Sequence, residues 1–415
     1  MSSFKPIKVL DLCNKAPPSG SIANTSTALP LTFFDIHWLL LPPSHLPNLK
    51  RTLSSTLIHF YPLAGNLSWP HEPNQPMICY TKGNSVSFAL VESNADFNHL
   101  SSNHPRNAID LCPLVSHLPT FGPIVPMLAI QVTIFPNTRI CIGVTHHKLI
   151  CDGRGFIHFM KTWASISTLE SSEPLPLLDM TFIKDHVGIT KIFLYELDGF
   201  MGSQSMLGNR LRVMDIKLKP NIVRATFELN EETSRILKER FYPISRFGSK
   251  SNITRFVVAV DYRARLDPII QETYFGNCVK SCSMNAEKSD LIKGGIPVAA
   301  QLMKFAVQEV EAKKRILKVL AAAGSPQFGL YKIDLGFGRP KKLEMASIDR
   351  TGAMFMKESS NLYGGIEFDL VLNRQEMDAF VSLFVDGFHG LRKEPLCHTP
   401  ILHQLEWCDE PSMIQ

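Results

Sequence analysis

Two hydrophobic stretches joined by a short turn constrain the fold of this chain more than any other feature. Met127 to Phe135 and Arg139 to Val144 alternate strongly, and only Pro136-Asn137-Thr138 separates them. This pattern predicts a β-hairpin. A glycine-containing turn follows, and the periodicity from Phe156 to Ile166 then predicts a helix. A hairpin in direct succession with a helix indicates an α/β fold.

The same mixture of strands and helices is predicted along the rest of the chain. Leu46, Leu49, Leu53, Leu57 and Phe60 recur at helical spacing and predict a helix with one buried face, beginning near position 44. The other predictions are strands over 31–41, 77–80, 86–91, 225–229, 256–260, 332–334, 346–349 and 365–372, and helices over 232–241, 298–323 and 374–384. The fold class that follows is α/β with mixed sheets.

The length of the chain predicts more than one domain. Its 415 residues are many for a single hydrophobic core. We expect an N-terminal domain over residues 1–180, a crossover over 181–220, a C-terminal domain over 221–392 and a loose tail over 393–415. The proline-rich stretch from Ser171 to Leu178 marks the approach to the crossover.

Charge and cysteine usage narrow the class of protein. The formal net charge of +5, from 43 Lys+Arg against 38 Asp+Glu, is too small to indicate nucleic-acid binding. No early apolar run resembles a secretory signal, and Leu29 to Pro43 is too interrupted to span a bilayer. The nine cysteines are irregularly spaced, which favours free thiols in the cytoplasm. We therefore expect a cytoplasmic monomer without nucleic-acid or membrane partners.

The segment from Thr145 to Gly153, with the sequence THHKLICDG, carries the candidate chemistry. A neutral imidazole can take a proton from an acceptor hydroxyl near neutral pH, since its ordinary pKa is about 6.5. We take His147 as the candidate general base for acyl transfer, with Asp152 holding the loop through an arginine and Gly153 allowing a tight turn. The alternative is that His146 and His147 are merely polar residues at the end of a strand.

Three further segments resemble the signature motifs of one enzyme family. They are Asp261-Tyr262-Arg263-Ala264-Arg265-Leu266-Asp267-Pro268, Tyr274-Phe275-Gly276-Asn277-Cys278, and Asp334-Leu335-Gly336-Phe337-Gly338. The second matches a YFGNC motif, and the third resembles a DFGWG motif with Leu335 in place of Phe and Phe337 in place of Trp. With these motifs in this order, the chain resembles the plant BAHD acyl-CoA-dependent acyltransferases, in the branch of anthocyanin, flavonoid and phenolic glucoside malonyltransferases.

The resemblance implies two similar domains of the chloramphenicol acetyltransferase type, each a mixed β-sheet flanked by helices, with a channel between them. It implies malonyl-CoA or hydroxycinnamoyl-CoA as co-substrate and a small-molecule glycoside as acceptor, with no tightly bound cofactor and no metal. It pairs Asp152 with Arg265 or, alternatively, with Arg263, and it assigns no residue to coenzyme binding. The loop that shapes the channel wall contains, by the same resemblance, Asp334, Gly336 and Gly338.

The spacing of the catalytic motif departs from the family's pattern. The family has three residues between the histidine and the aspartate, whereas four separate His147 from Asp152. Either the loop has one extra residue and His147 faces the substrates, or the alignment is gapless and Lys148 stands in the base position. A lysine is a poor base, because its ammonium group keeps the proton unless burial lowers its pKa by several units.

A second departure lies between Ser251 and Val257, where a helix-sized segment of the family is missing. Two hypotheses about function follow. The first is an O-acyltransferase that acylates a sugar hydroxyl of a phenolic, flavonoid or anthocyanin glycoside by general-base catalysis. The alternative is a catalytically impaired relative that at most binds CoA esters.

Overall fold

The computed structural model describes residues 7–18, 27–29, 37–41, 46–68, 75–122, 124–136, 139–169, 173–185, 188–201, 211–212, 217–233, 253–287 and 318–393. The strands in these ranges are β1 (Ile7–Lys15), β2 (Thr27–Leu29), β3 (His37–Leu41), β4 (Asn66–Ser68), β5 (Met77–Tyr80), β6 (Val86–Ser93), β7 (Arg106–Asn107), β8 (Phe121–Gly122), β9 (Val125–Pro126), β10 (Leu128–Phe135), β11 (Arg139–His146), β12 (Leu211–Arg212), β13 (Ile222–Leu229), β14 (Ile253–Asp261), β15 (Val279–Glu287), β16 (Lys318–Gly324), β17 (Met354–Glu358) and β18 (Ile366–Asn373). The α-helices are α1 (Leu46–His59), α2 (Phe97–Leu100), α3 (Gly153–Thr168), α4 (Ile189–Met201), α5 (Ile348–Thr351) and α6 (Arg374–Lys393). Short 3-10 helices span Tyr61–Ala64, Ala108–Leu114, Met180–Phe182, Arg263–Arg265 and Leu330–Lys332.

Two mixed sheets organise the described part of the chain. The first has five strands in the order β1-β6-β10-β11-β3, with β6 and β10 parallel and the other neighbours antiparallel. The second has seven strands in the order β15-β14-β16-β17-β18-β13-β7, with parallel pairs at β14/β16 and β16/β17. These sheets and their helices confirm the mixed α/β class. The edge strand β7 comes from residues 106–107, so the second sheet takes one strand from the first half of the chain.

The predicted hairpin forms, and its second strand places the candidate site. β10 and β11 pair antiparallel, with Leu128 opposite His146. The even-numbered side chains of β11 from position 140 to 144 join the main hydrophobic core, whereas Cys141 joins a smaller cluster beside the 3-10 helix at 108–114. A Cβ atom at Gly143 would lie 2.2 Å from the carbonyl oxygen of Leu114, so the strand can pass this helix only with glycine there. Successive residues of β11 therefore face two different surroundings.

The helices pack as their periodicity predicts. Leu49, Leu53 and Leu57 of α1 are fully buried against α3 and the first sheet. Burying a leucine side chain contributes about 1.5–3 kcal/mol, so this one face stabilises the helix strongly. The same core continues from these helices to Phe275 and Leu335 in the second half of the chain. One hydrophobic core therefore connects the regions that carry the different sequence motifs.

Several sequence predictions are wrong where tertiary pairing or turn geometry overrides local preference. The end of the predicted helix 298–323 is the parallel strand β16, because its alanine-rich sequence lies between β14 and β17. The predicted strand 332–334 begins inside a 3-10 helix that follows Gly329 in the left-handed region. The predicted strand 346–349 runs into the short helix α5.

Other predictions fall partly or wholly outside the described residues. Most of the predicted helix 232–241 lies outside them, although the Asn230 side chain accepts a hydrogen bond from the Thr233 amide at 2.7 Å, as a helix cap does. Positions 298–317 and the tail from 394 also lie outside, as do positions 251 and 252 of the stretch 251–257 where a missing helix-sized segment was predicted. Residues 253–261 form β14, so the described part of that stretch is strand, and the missing segment stays a prediction. Within the described ranges, no helix has both the length and the apolar character needed to cross a membrane.

Candidate active site

Asp152 is the centre of a hydrogen-bond network that joins the catalytic segment to the second half of the chain. Its side chain is fully buried and caps α3 by accepting a hydrogen bond from the Gly155 amide at 3.1 Å. The same carboxylate accepts from the Cys278 amide at 2.9 Å and forms an ion pair with the Arg263 guanidinium at 2.8 Å. A buried carboxylate with several donors holds its position firmly. Asp152 therefore fixes the end of the loop that follows His147.

The partner of Asp152 is Arg263, so the predicted pairing with Arg265 is wrong. Arg263 is 2% exposed, and its Nη2 atom also donates to the carbonyl oxygens of Tyr274 at 3.0 Å and Gly276 at 3.1 Å. Arg265 is exposed, and its guanidinium lies over the Tyr262 ring. Both arginines belong to one 3-10 helix, in which residues two apart point in different directions. Only the first of them can turn towards Asp152.

A second ionic bridge runs beside the first one. The Asp261 carboxylate accepts from Arg263 Nη1 at 3.1 Å and from Arg154 Nε at 2.8 Å. Arg154 lies in the first turn of α3, and its Nη1 atom also pairs with Glu272 at 3.0 Å. The Asp261, Arg154 and Glu272 side chains are about one-third exposed or more, so this bridge contributes less to stability than the buried one. Together the two bridges tie the start of α3 to the segment 261–278.

His146 and His147 occupy different environments. The His146 ring stacks on Phe156 of α3, with ring centroids 4.3 Å apart and an interplanar angle of 7°. The His147 amide donates to the Met127 carbonyl at 3.1 Å, and its Nε2 atom lies 3.0 Å from the Pro119 carbonyl oxygen. Since a carbonyl oxygen can only accept, Nε2 carries the proton and Nδ1 has the lone pair. His147 thus has one defined tautomer.

The surroundings of the His147 side chain favour the neutral form of its imidazole. It is 7% exposed, and burial lowers the pKa of its imidazole below the ordinary value. The hydrogen bond to Pro119 opposes this effect on the pKa, whereas nearby His117 adds to it. A neutral imidazole with a lone pair on Nδ1 is the form that a general base requires.

Lys148 lies in the tight turn that connects His147 to Asp152. The Ile150 amide donates to the His147 carbonyl at 3.1 Å and closes the turn. The Asn277 side chain donates to the Lys148 carbonyl at 3.1 Å, so the YFGNC segment holds this turn from the other side. Lys148 is half-buried. His147 and Lys148 are therefore adjacent in a rigid turn, and the choice between them as the base stays a prediction.

The glycines of the site differ in whether their surroundings leave room for a side chain. A Cβ atom at Gly153 would meet only Phe328, at 3.8 Å, which is ordinary contact. A Cβ atom at Gly155 would lie 2.9 Å from Cys151 Cβ, and one at Gly276 would lie 2.6 Å from the hydroxyl oxygen of Tyr274. The steric requirement therefore lies at Gly155 and Gly276 rather than at the predicted Gly153. Tyr274 folds over Gly276 and reaches the Met180 sulfur, which explains this part of the YFGNC motif.

The Asp334 loop is built around its own carboxylate. One oxygen of Asp334 accepts from the amides of Gly336 at 2.8 Å, Phe337 at 2.8 Å and Gly338 at 2.9 Å. Gly336 and Gly338 adopt φ values of +91° and +94°, which side chains rarely tolerate. Leu335 is fully buried, and a Cβ atom at Gly336 would lie 3.5 Å from the Ser167 carbonyl oxygen near the end of α3. The described contacts of Asp334 thus stabilise the loop itself, and a role of this loop in the channel wall stays a prediction.

We expect Asp334→Ala to lower the free energy of unfolding by about 1–3 kcal/mol, because three amide donors lose their common acceptor. Thermal unfolding of the variant beside the wild-type protein measures this loss. Asp334→Asn is the matched control, since its side-chain oxygen can still accept from the amides. An Asp334→Ala variant with an unchanged melting temperature would contradict the structural role.

Sequence reasoning missed a buried cluster of eight charged side chains. All are at most 5% exposed, and four cations balance four anions: Arg106, Arg224, Lys342, Lys357, Glu344, Asp349, Glu367 and Asp369. Arg224 pairs with Asp349 at 2.8 Å, Lys357 pairs with Asp369 at 2.8 Å, and Arg106 pairs with Glu344 across 238 positions of sequence. No local pattern reveals partners so far apart. The cluster links β7, β13, β17 and β18 to the segment after the Asp334 loop.

The described part of the chain has a mixed α/β fold, and comparisons with known proteins identify its family. Residues 24–184 and 245–323 match the Transferase family. Phenolic glucoside malonyltransferase 1 of Arabidopsis thaliana is 31% identical over 92% of this chain and 98% of its own length. An anthocyanin 5-O-glucoside malonyltransferase of Salvia splendens is 31% identical over 91% of this chain and 94% of its own length. The chain belongs to the Transferase family of BAHD acyltransferases.

Solved structures show the same fold at lower identity. Vinorine synthase superposes with a TM-score of 0.63 at 19% identity, covering 90% of this chain and 96% of that structure. TRI101 of F. sporotrichioides in complex with coenzyme A and T-2 superposes with a TM-score of 0.52 at 13% identity, covering 86% of this chain and 97% of that structure. The predicted family and the predicted fold class are confirmed.

The comparisons also identify the co-substrate that the family uses. Acyl-CoA is the co-substrate of this family, as the resemblance predicted, and the TRI101 structure holds coenzyme A. Among the described residues, no group of three or more histidine, cysteine, aspartate or glutamate side chains is arranged to hold a metal ion.

Proposed function

We propose that this protein transfers an acyl group from acyl-CoA to a sugar hydroxyl of a phenolic, flavonoid or anthocyanin glycoside. Malonyl is the preferred acyl group over hydroxycinnamoyl, because the relatives quoted above are malonyltransferases. A coumaroyltransferase of anthocyanidin glucosides from Arabidopsis thaliana is also 31% identical over 93% of this chain, which keeps hydroxycinnamoyl-CoA as a second donor to test. We infer that the protein acts as a cytoplasmic monomer.

The observation that carries the proposed chemistry is the 3.0 Å contact between His147 Nε2 and the Pro119 carbonyl oxygen, from which the tautomer follows. Because Nε2 donates to Pro119, the lone pair is on Nδ1, and burial favours the neutral ring. In the proposed reaction Nδ1 takes the proton of the acceptor hydroxyl while the oxygen attacks the thioester carbonyl. The tetrahedral intermediate then collapses, the bond from carbon to sulfur breaks, and the imidazolium returns the proton to the departing thiolate. The products are the acylated glycoside and free coenzyme A.

Asp152 and Arg263 support this reaction by holding the turn between His147 and α3. They bridge the N-terminal region, proposed as the domain 1–180, and the C-terminal region, proposed as the domain 221–392, with 181–220 as the crossover. We propose that donor and acceptor meet in a channel between these two regions. A shift of about 1 Å in the position of the base greatly lowers the rate of the chemical step. An ion pair that fixes the turn therefore supports catalysis without touching the substrate.

A second candidate function follows from the exposure of the two neighbouring side chains, because Lys148 is less buried than His147. If Lys148 stands where the acceptor hydroxyl enters, the protein is a catalytically impaired relative that binds CoA esters. The two candidates make different predictions, because binding without turnover releases no thiol.

The proposed function is tested by incubating purified protein with malonyl-CoA or coumaroyl-CoA and a panel of phenolic glucosides, while thiol release is measured. We expect release that requires both the CoA ester and a glucoside, with the acylated glucoside identified by mass spectrometry. The aglycones of the same phenols are the matched control, since they lack the sugar hydroxyl. Saturable binding of the CoA ester without thiol release from any glucoside would support the impaired relative instead.

The proposed base also predicts the pH dependence of the reaction. Transfer requires neutral His147, so kcat/KM falls as pH drops through the pKa of this imidazole. Because burial lowers that pKa, the acidic limb should have its midpoint below the ordinary histidine value of about 6.5. A pH–rate profile of the wild-type protein measures this midpoint. An acidic limb centred well above that value would contradict His147 as the base.

A further inference from the structure

The ring nitrogens of His99, in α2, and His104, in the loop that follows α2, face each other. The His99 Nδ1 atom lies 3.3 Å from the His104 Nε2 atom, and the ring centroids are 5.1 Å apart with an interplanar angle of 52°. The Ser102 Oγ atom is also 3.3 Å from the same Nε2 atom. Both histidines are exposed. The Ser102 hydroxyl also donates to the His99 carbonyl oxygen at 2.7 Å, so these three atoms form one hydrogen-bonded group in which a ring nitrogen carries a proton. A bound ion would take the place of that proton.

This spacing is the one that a tetrahedral metal ion requires. Zinc binds imidazole nitrogen at about 2.0–2.1 Å, so two nitrogens on a tetrahedral ion are about 3.4 Å apart. We propose that His99 and His104 bind a divalent ion of the zinc type, with the Ser102 hydroxyl and water in the remaining positions. Imidazole ligands suit zinc, copper and nickel, whereas they do not suit magnesium or calcium. This site is separate from the proposed acyl-transfer chemistry.

A negatively charged side chain lies close to one of the two rings. The Asp110 carboxylate lies 4.0 Å from Nε2 of His99, on the side of the ring that points away from His104. At this distance the carboxylate makes no hydrogen bond to the ring, and it acts on a bound cation only through its negative charge. Metal ions bind histidine only in the neutral form.

The segment from His99 to His104 is held in place on both sides by hydrogen bonds. The Asp96 side chain caps α2 by accepting from the amides of Asn98 and His99 at 2.9 Å and 3.2 Å. After the turn, the Asn103 carbonyl accepts from the Thr226 amide at 3.0 Å, which ties the loop to β13. A loop fixed in this way loses little conformational entropy when an ion binds. The two imidazoles are therefore positioned before binding.

The site is tested by titrating the metal-free full-length protein with zinc and with cobalt, using calorimetry and the visible spectrum of cobalt. We expect the wild-type protein to bind one ion more than the double variant His99→Asn with His104→Asn. Each single histidine variant should weaken this binding at least tenfold, whereas Asp110→Asn should weaken it by a smaller factor, because its carboxylate acts through charge alone. Zinc should also raise the melting temperature of the wild-type protein more than that of the double variant.

Two matched controls separate this site from other metal-binding side chains. His59→Asn removes a histidine elsewhere, and Cys112→Ser removes the exposed thiol nearest in sequence. Both should bind zinc like the wild-type protein. The proposal is overturned if the double variant binds as many ions with equal affinity, or if the wild-type protein shows no saturable binding. Circular dichroism verifies that each variant is folded, and none of these readouts depends on acyl transfer.

Discussion

Asp152→Ala should destabilise the protein by about 3–5 kcal/mol, because it leaves the Arg263 guanidinium buried without its carboxylate partner. The substitution also removes the cap of α3 and the acceptor of the Cys278 amide. Chemical denaturation of the variant beside the wild-type protein measures the loss. Where the variant still folds, acyl transfer should fall as well, since the turn that carries His147 is no longer fixed.

The arginine variants are the matched control for this prediction. Arg263→Met removes the buried partner and should destabilise strongly, whereas Arg265→Met removes an exposed side chain and should change stability by less than about 0.5 kcal/mol. The double variant of Asp152→Ala with Arg263→Met should cost less than the sum of the single losses, because no buried charge is left unpaired. If Arg265→Met were as damaging as Arg263→Met, the ion pair described here would be wrong.

His147→Ala should lower kcat/KM for acyl transfer by about 10²- to 10⁴-fold, the usual contribution of a general base. The affinity for the CoA ester should change little, because the imidazole acts on the acceptor proton. Steady-state thiol release measures the rate, and calorimetry with unreacted coenzyme A measures the binding. The residual rate reflects positioning of the two substrates, which this substitution leaves in place.

Variants at the two neighbouring positions decide which side chain is the base. His146 stacks on Phe156, so His146→Phe should affect stability more than the rate of transfer. Lys148→His places an imidazole in the position of the gapless alignment. If His147→Ala retained full activity and Lys148→His gained activity, the base would belong at position 148 and the wild-type protein would be an impaired relative.

The regular elements that position the site could be predicted because their patterns are local. The hairpin at 127–144 and the buried face of α1 follow from hydrophobic periodicity, and both form as predicted. The order of the sequence motifs likewise indicated the family correctly. The hairpin and the helix needed only residues that are close in sequence, and each motif is itself a short local segment.

The remaining features depend on contacts that sequence spacing does not reveal. Arg263 and Arg265 are two positions apart, and only the geometry of their 3-10 helix separates the buried one from the exposed one. The strand β16 has an alanine-rich sequence with high helix propensity, yet its two neighbours impose a parallel ladder. The buried charged cluster joins Arg106 to Glu344, which are 238 positions apart. In each case long-range packing decided the outcome.

The most direct test of the account is a crystal structure of the protein with coenzyme A and a phenolic glucoside bound together. We predict that a sugar hydroxyl lies within about 3.2 Å of His147 Nδ1, the reach of a general base, and that the coenzyme sulfur approaches the same hydroxyl. A complex in which the hydroxyl faces the Lys148 ammonium, with His147 enclosed by protein on all sides, would contradict the assignment of the base.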